Sequence, residues 1–208
     1  MRDLDLRLYV VTDREQAGDR GVPSKVRDAI AGGATIVQLR DKHASTRALV
    51  EMACELIEVC RPAGVPLLIN DRVDVALAAD ADGVHLGQSD MALRDARRLM
   101  GKNSIIGVSV RDEAEVLEAQ RDGASYIAAN GVWATATKTD FGAPLGEGGL
   151  RRLVAASKLP LVAIGGITVN QAPSLAAAGC AGIAVVSAVM KAPNPREAAA
   201  ALREAFGR

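Results

Sequence analysis

The sequence of 208 residues has few aromatic side chains, few cysteines and no net charge. One Trp, two Tyr and two Phe make up 2% of the chain, so a core must be built from aliphatic side chains. Lys plus Arg and Asp plus Glu both number 25, which argues against a basic surface for nucleic acid or for an anionic membrane. Cys54, Cys60 and Cys180 are odd in number and lack metal-ligand spacing, which argues against disulfides and a zinc site.

Long hydrophobic runs are also missing. No apolar stretch reaches the roughly 20 residues that span a membrane. The N-terminal segment, MRDLDLRLYVV, lacks the apolar core and the cleavage pattern of a secretory signal. We therefore expect a cytoplasmic protein without nucleic-acid or membrane partners. The sequence is compatible with a monomer and with a homodimer.

Short apolar runs alternate along the chain with amphipathic or alanine-rich segments. We predict these segments to be helices, at residues 22–31, 46–63, 73–79, 91–100, 113–122, 150–157, 169–178 and 195–206. Eight runs are predicted to be buried strands, at residues 6–12, 34–40, 65–69, 83–86, 104–109, 125–129, 159–165 and 182–187. The alternation indicates βα units and a parallel sheet, and eight is the number of strands that closes a barrel. We predict one α/β domain over residues 1–208, a single (β/α)₈ TIM barrel, in preference to a doubly wound open sheet.

The stretch 65–90 places an acidic side chain after each of two neighbouring strands. Asp71 follows Asn70 at the end of the third strand, and Asp90 follows the fourth strand. Neighbouring strands lie about 4.8 Å apart, so the two carboxylates can share an oxygen-preferring cation such as Mg²⁺. Asp is also a favoured helix N-cap. On spacing alone, capping of the next helix by each aspartate is as well supported as a shared cation site.

The second strand ends in a polar cluster. Its alternation places Gln38, Arg40 and Lys42 on one face, while the apolar residues between them face the helices. Buried cations need a partner, and a metal-bound phosphate or diphosphate would supply one. The alternative is a structural network in which the two cations pair with barrel carboxylates such as Asp71.

The remaining strand ends carry hydroxyl groups and glycine. Ser109 ends the fifth strand and by itself is an ordinary loop residue. The exit of the sixth strand, residues 130–140, is rich in hydroxyls and contains one lysine, which is typical of a ligand-binding loop or of a solvated one. Gly165 and Gly166 follow the seventh strand, and a short helix can begin after the eighth. These two exits are the usual phosphate site of this barrel class, although the glycine pair could also form a tight turn.

Seven segments, in their order and spacing, resemble the thiamine phosphate synthase family: YVVTD, QLRDK, LINDRVDVALAADADGVHLGQSD, GVS, TATKTD, AIGGI and GIAVVSA. The resemblance extends from Tyr9 to about Ala188. It implies a TIM barrel that catalyses a Mg²⁺-dependent alkyl transfer. The family joins 4-amino-5-hydroxymethyl-2-methylpyrimidine diphosphate to hydroxyethyl-thiazole phosphate, with release of diphosphate.

The resemblance also implies roles for individual residues. The Mg²⁺ ligands would be Asp71 and Asp90. The pyrimidine diphosphate would be bound by Gln38, Leu39, Arg40, Asp41, Lys42, Asn70, Ser109 and Lys138. The thiazole phosphate would be bound by Thr135, Ala136, Thr137, Gly166, Val186 and Ser187. Arg40 and Lys138 would neutralise the leaving diphosphate, and Ser109 would lie near the pyrimidine amine.

One segment departs from the family pattern. The family usually has Gly-Pro-x-Phe before its Thr-x-Thr-Lys signature, whereas this chain has Asn130, Gly131, Val132 and Trp133. Loss of the proline leaves the start of the loop less rigid. We expect the larger Trp133 to need room beside the substrates.

Two other functions are alternatives. A thiazole tautomerase on the same barrel would need an acid/base group but no metal pair, and the chain has two histidines, His43 and His85. We expect His85, inside the fourth strand, to be a structural histidine. The second alternative is a non-catalytic barrel that binds a phosphate ester as a sensor.

Overall fold

The computed structural model describes residues 4–134 and 143–207. In this part of the chain, eight parallel strands form a closed barrel in sequence order, and β1 pairs with both β2 and β8. The strands are β1 (Leu8–Val11), β2 (Ile36–Leu39), β3 (Leu67–Asn70), β4 (Gly83–Leu86), β5 (Ile105–Val110), β6 (Tyr126–Asn130), β7 (Leu161–Ile164) and β8 (Gly182–Val185). The predicted (β/α)₈ TIM barrel is confirmed.

Helices alternate with the strands. They are α1 (Arg14–Ala17), α2 (Val22–Ala31), α3 (Thr46–Cys60), α4 (Val73–Ala79), α5 (Leu93–Met100), α6 (Glu113–Arg121), α7 (Gly146–Ala156), α8 (Ala172–Ala177), α9 (Ser187–Met190) and α10 (Pro195–Phe206). Several helices have a side-chain N-cap. The hydroxyl of Ser45 accepts a hydrogen bond from the N–H of Ala48 at the start of α3, and the carboxylate of Asp112 accepts one from the N–H of Glu115 at the start of α6. Among the described residues, no helix combines the length and the apolar character that crossing a bilayer requires.

Two helices differ from expectation. The short helix α1 was not predicted, and it forms because the carboxylate of Asp13 caps it by accepting the N–H of Gln16. Helix α7 begins at Gly146, ahead of the predicted start at residue 150. Its first turn is glycine-rich, which hides the helical pattern. A Cβ at Gly149 would lie 2.6 Å from the side chain of Leu145, which would have to shift to accommodate it.

Alternate residues of each strand separate two apolar layers. In β1, Leu8 and Val10 belong to the layer between strands and helices, whereas Tyr9 and Val11 belong to the smaller layer inside the barrel. Each fully buried aliphatic side chain stabilises the fold by roughly 1.5–3 kcal/mol relative to exposure. Aliphatic side chains therefore fill the layer between the strands and the helices. Because all eight strands are parallel, their carboxyl ends lie at the same rim of the barrel.

Candidate active site

A cavity of about 420 Å³ opens at the carboxyl ends of the strands, the end at which TIM barrels carry their active sites. Seven of the predicted site residues line it: Gln38, Arg40, Asn70, Ser109, Gly166, Val186 and Ser187. The structure thus brings together residues of β2, β3 and β5 with the exits of β7 and β8, which are far apart in sequence.

Arg40 is a cation at this cavity whose side chain has no partner among the described residues. Its backbone N–H donates to the hydroxyl of Thr12 at the end of β1, over 3.0 Å. Its guanidinium makes no hydrogen bond or ion pair with the described residues. The network that would pair Arg40 with Asp71 is therefore not formed in this part of the chain. Lys191, which sequence reasoning did not single out, also lines the cavity and has no side-chain partner among the described residues.

The other predicted residues after β2 lie elsewhere. Leu39 is 2% exposed and packs in the outer layer, so its side chain faces the helices. The carboxylate of Asp41 accepts two backbone N–H groups of the following turn. Lys42 is exposed and lines a neighbouring groove, which shares Arg40 with the cavity.

Asp71 and Asp90 bring two carboxyl groups together at the ends of β3 and β4. The two groups lie within hydrogen-bonding reach of each other. Burial, followed by the contact with Asp90, raises the pKa of Asp71 to about 6, against smaller opposing effects of Lys42 and Asn70. Asp71 also has a φ of 63°, in the left-handed region that is uncommon for residues other than glycine. A perturbed acid on strained backbone beside a cavity is typical of a functional site.

Neither aspartate caps a helix. Arg72 is the N-cap of α4 and Ala92 is the N-cap of α5, and neither makes a side-chain capping bond. Asp90 instead accepts the N–H of Gly87 over 2.6 Å and closes the exit loop of β4. The capping alternative is therefore wrong for both residues.

The aspartate pair has the chemistry of a Mg²⁺ site. Among the residues that the structure describes, no three His, Cys, Asp or Glu side chains converge on one point. Zinc sites usually need three or four such ligands. Mg²⁺ retains several waters and commonly binds through one or two carboxylates together with the phosphates of a substrate. Asp71 and Asp90 are not among the residues that line the cavity, but Asn70, next to Asp71, lines it, and Asp90 lines a separate groove. A pair of aspartates at this rim of the barrel fits that pattern.

The exits of β7 and β8 also line the cavity. A Cβ at Gly166, whose φ is 64°, would lie 2.6 Å from the carbonyl oxygen of Ala134, so glycine is required where the β6 exit packs against it. Two backbone hydrogen bonds also join the exits of β6 and β7: Val132 N–H donates to the carbonyl of Ile164 over 3.0 Å, and Trp133 N–H donates to that of Gly165 over 3.2 Å. The N–H groups of Gly166 and Ser187 have no backbone acceptor among the described residues, which leaves them available to an anion.

Besides Lys191, the sequence did not identify Tyr9 and His85, which line the cavity, or Tyr126, which contacts both of them, as members of a site. Tyr9 and Tyr126, both of the tyrosines in the chain, are buried inside the barrel and hydrogen-bonded to each other over 2.9 Å. His85 contacts Tyr126 through one ring nitrogen and Ser109 through the other, as expected for a structural histidine, but it also lines the cavity. The available signal was the rarity of tyrosine in a chain with so few aromatic residues.

Trp133 is not among the residues that line the cavity. It is half-buried and packs against the outer apolar layer, and its Cβ would lie 3.1 Å from a Cβ added at the cavity-lining Gly166. Four residues of the predicted site, Thr135, Ala136, Thr137 and Lys138, lie outside the described residues.

Comparison with known proteins identifies the family. A model of the family described as thiamine monophosphate synthase matches residues 8–189. The chain belongs to this family. A curated relative, the thiamine-phosphate synthase of Chloroflexus aurantiacus, is 52% identical over 200 residues, which cover 96% of this chain and 92% of the relative. That of Roseiflexus castenholzii is 47% identical over 195 residues, which cover 94% and 86%.

Solved structures agree with this assignment. Thiamine phosphate pyrophosphorylase from Pyrococcus furiosus is 42% identical, with a TM-score of 0.88 over 98% of this chain and 96% of that one. A 3-hexulose-6-phosphate synthase, at 19% identity and a TM-score of 0.69 over 97% of this chain and 100% of that one, shares the fold alone. Membership of the thiamine monophosphate synthase family makes this chain an enzyme, a transferase of thiamine biosynthesis.

Proposed function

We propose that this chain condenses 4-amino-5-hydroxymethyl-2-methylpyrimidine diphosphate with hydroxyethyl-thiazole phosphate, forming thiamine phosphate and diphosphate. The observation that carries the proposal is the cavity mouth, which has two ends suited to anions. The guanidinium of Arg40, which has no partner among the described residues, lies at the exit of β2, and the backbone N–H groups of Gly166 and Ser187 lie at the exits of β7 and β8. Two such ends match two substrates that each carry phosphate.

We assign Mg²⁺ to Asp71 and Asp90. The contact between their carboxyl groups supports this assignment, because two neighbouring carboxylates favour a shared cation. When bound, the ion would act as a Lewis acid on the diphosphate group.

The pyrimidine half would bind against β2, β3 and β5. As the C–O bond breaks, the electron pair leaves with the diphosphate oxygen, and the fork of Arg40 would stabilise the growing negative charge. Asn70 would donate its amide N–H to the same anion, and Lys42 would approach it from the neighbouring groove. Gln38 and Ser109 would hold the ring and its amine. Lys138 is proposed as a further cation for the diphosphate.

The thiazole half would bind at the exits of β7 and β8. The N–H groups of Gly166, Val186 and Ser187 would hold its phosphate, together with residues 135–137. The thiazole nitrogen would then donate its lone pair to the exocyclic methylene carbon, so that a C–N bond replaces the broken C–O bond. The apolar walls, which include Ile164 and Ala184, would exclude the water that could otherwise capture this carbon.

The tautomerase alternative finds no support in the geometry. Both ring nitrogens of His85 are hydrogen-bonded, to Tyr126 and to Ser109, and His43 is exposed outside the cavity. An acid/base group must be within reach of the proton that it moves, and neither histidine meets that requirement alone.

Turnover tests the proposal directly. The purified protein is incubated with both substrates, with and without Mg²⁺, and thiamine phosphate and diphosphate are measured together. We expect equal amounts of the two products, formed only when the metal is present. Binding of either substrate without release of diphosphate would overturn the proposal and favour a sensor.

A further inference from the structure

The side chains that line the cavity include one Arg, one Lys and, among the described residues, no Asp or Glu. The two cations are Arg40, at the exit of β2, and Lys191, at the end of α9. The chain as a whole has no net charge, so the cavity is a local concentration of positive charge. Neither side chain has a partner among the described residues. The proposed function uses Arg40 and leaves Lys191 without a role.

The packing of α9 directs Lys191 to the cavity. Val189 and Met190 are 0% exposed and belong to the apolar layer between strands and helices, which fixes the buried side of this short helix. Ser187 and Lys191 line the cavity, and the N–H of Lys191 donates to the carbonyl of Ser187 over 3.1 Å. Residues four apart lie on one face of a helix, and a helical side chain leans toward the N-terminal end. The side chain of Lys191 therefore leans toward the exit of β8, where the thiazole phosphate is proposed to bind.

A buried lysine on α2 holds the end of α9. Lys25 is 5% exposed, and its Nζ donates to the carbonyl of Ala192 over 2.6 Å. An ammonium is costly to bury, but a carbonyl group at the end of a helix stabilises it. Arg20, just before α2, donates to the next carbonyl, that of Pro193, over 3.5 Å. The backbone that follows Lys191 is thus tied to α2 by two cations.

We propose that Lys191 is a substrate-binding residue for the phosphate of the thiazole substrate, and that Lys25 is the positioning residue that holds it at the exit of β8. This role rests on the proposed function and adds a charged side chain to the backbone N–H groups of Gly166 and Ser187. A phosphate monoester carries about 1.5 to 2 negative charges at neutral pH. Because backbone N–H groups carry no net charge, the ammonium is needed to neutralise part of it. Lys191 should therefore determine the preference for the phosphorylated thiazole over its unphosphorylated alcohol.

The charge of Lys191 is expected to act on binding and not on the chemical step. The bonds that break and form lie at the methylene carbon of the pyrimidine, whereas the phosphate of the thiazole is unchanged by the reaction. Lys191 would contact that phosphate equally in the ground state and in the transition state, so its loss should raise KM and leave kcat unchanged. The KM for the pyrimidine diphosphate, which is proposed to bind at Arg40, should not change.

Variants of Lys191 test this role. Lys191→Met removes the charge at similar side-chain length, and Lys191→Arg keeps the charge. Lys102→Met removes an exposed lysine from the loop before β5, at the amino ends of the strands, and is the matched control. Binding of hydroxyethyl-thiazole phosphate and of hydroxyethyl-thiazole is measured by calorimetry with Mg²⁺ and diphosphate present, and kcat and KM are measured for both substrates of the reaction.

The thiazole phosphate alone should respond to the charge. We expect Lys191→Met to raise its Kd and its KM about tenfold, because an exposed charge-assisted bond is lost. Binding of the alcohol should stay unchanged. Lys191→Arg should recover most of the affinity, and Lys102→Met should behave as wild type.

A double-mutant cycle tests the link between the two lysines. Lys25→Met should raise the Kd for the thiazole phosphate about threefold when Lys191 is present, and should have no effect in the Lys191→Met background. A purely structural Lys25 would lower the melting temperature and change the affinity equally in both backgrounds. If Lys25→Met does not fold, the exposed Arg20→Gln, which loses the bond to the next carbonyl, gives the same comparison.

Binding and turnover can fail separately. A wild type that prefers the thiazole phosphate through Lys191 but forms no thiamine phosphate refutes the proposed function and supports the binding role. A Kd that Lys191→Met leaves unchanged, or a wild type that binds the thiazole phosphate no better than the alcohol, refutes the role of Lys191 even if both substrates are condensed. An equal loss in Lys102→Met would show a general effect of charge and would also refute it. Additive effects of the two lysines would refute positioning by Lys25.

Discussion

Charged side chains are treated differently at the two ends of the barrel. At the amino ends of the strands, the guanidinium of Arg97 donates to Ser125 and to backbone carbonyl oxygens at Gly101, Ser104 and Gly123. At the carboxyl ends, Arg40 and Lys191 have no side-chain partner among the described residues, and Asp71 combines a positive φ with a raised pKa.

The difference shows what each end serves. A cation that bonds to its own backbone stabilises the fold, because it satisfies carbonyl groups that end helices and precede strands. A cation without a partner and a carboxyl group that resists ionisation add nothing to folding and are useful only to a ligand. Substitutions should therefore affect activity at the carboxyl ends of the strands and stability at the amino ends.

The largest effect is expected at the aspartate pair. Asp71→Asn should lower turnover by roughly 10²–10³-fold, because the proposed Mg²⁺ loses one of its two carboxylate ligands. The fold should remain intact. The rate is measured against Mg²⁺ concentration, with circular dichroism as the check on folding. Asp74→Asn, at an exposed position on α4, is the control and should behave as wild type. An unchanged metal dependence in Asp71→Asn would count against its role as a ligand.

A somewhat smaller effect is expected at Arg40. Arg40→Ala should lower kcat/KM for the pyrimidine diphosphate about 100-fold, because a charge-assisted bond to the leaving group is lost, with little change in melting temperature. Arg40→Lys keeps the charge without the fork and should recover only part of the loss. Steady-state kinetics with each substrate varied in turn measures this. If the KM for the thiazole phosphate rose equally, the assignment of Arg40 to one end of the cavity would be wrong.

At the opposite end, the expected effect is on stability. Arg97→Ala should lower the free energy of unfolding by about 2–3 kcal/mol, since several carbonyl groups lose their donor. The neighbouring Arg98, whose side chain is 72% exposed and pairs only with Asp95 among the described residues, is the matched control. Arg98→Ala should cost less than about 0.5 kcal/mol. Urea unfolding measures both variants, and a loss of activity per folded molecule in Arg97→Ala would contradict the division between the two ends.

The smallest effect is on the pH dependence of stability. The pKa of Asp71 is raised from 3.8 to about 6 on folding, so the folded state binds more protons than the unfolded state between these values. Without divalent cations, this residue should therefore lower stability as pH rises from 4 to 6, by less than about 2 kcal/mol after solvent screening. Asp71→Asn should remove that decline. Asp80→Asn controls for backbone preference, because Asp80 is the other non-glycine residue with positive φ in the described part of the chain, and an equal effect there would refute the assignment to ionisation.

Much of the fold could be predicted because the signals are local. Buried strands and helices have different periodicities, and the predicted bounds of α2, α4 and α10 are those observed. The start of α7 was missed because its glycines mask a helix that Leu145 and the core stabilise. Local propensity is a weak guide where tertiary packing decides.

The site divides in the same way. Gln38, Arg40, Asn70 and Ser109 could be placed at the cavity because parallel strands bring their carboxyl ends to one rim. Whether an aspartate there caps a helix or faces another carboxylate depends on loop geometry, and spacing alone left Asp71 undecided.

The sequence by itself determined the barrel, the rim at which its polar residues lie and the family. Strand period, strand count and motif order are all properties of the linear sequence. Only the tertiary structure decided that the side chain of Arg40 has no partner among the described residues, that Tyr126 crosses Gly107, and that His85 contacts both Tyr126 and Ser109. These are contacts between residues distant in sequence, and their geometry depends on how closed strands place side chains in space.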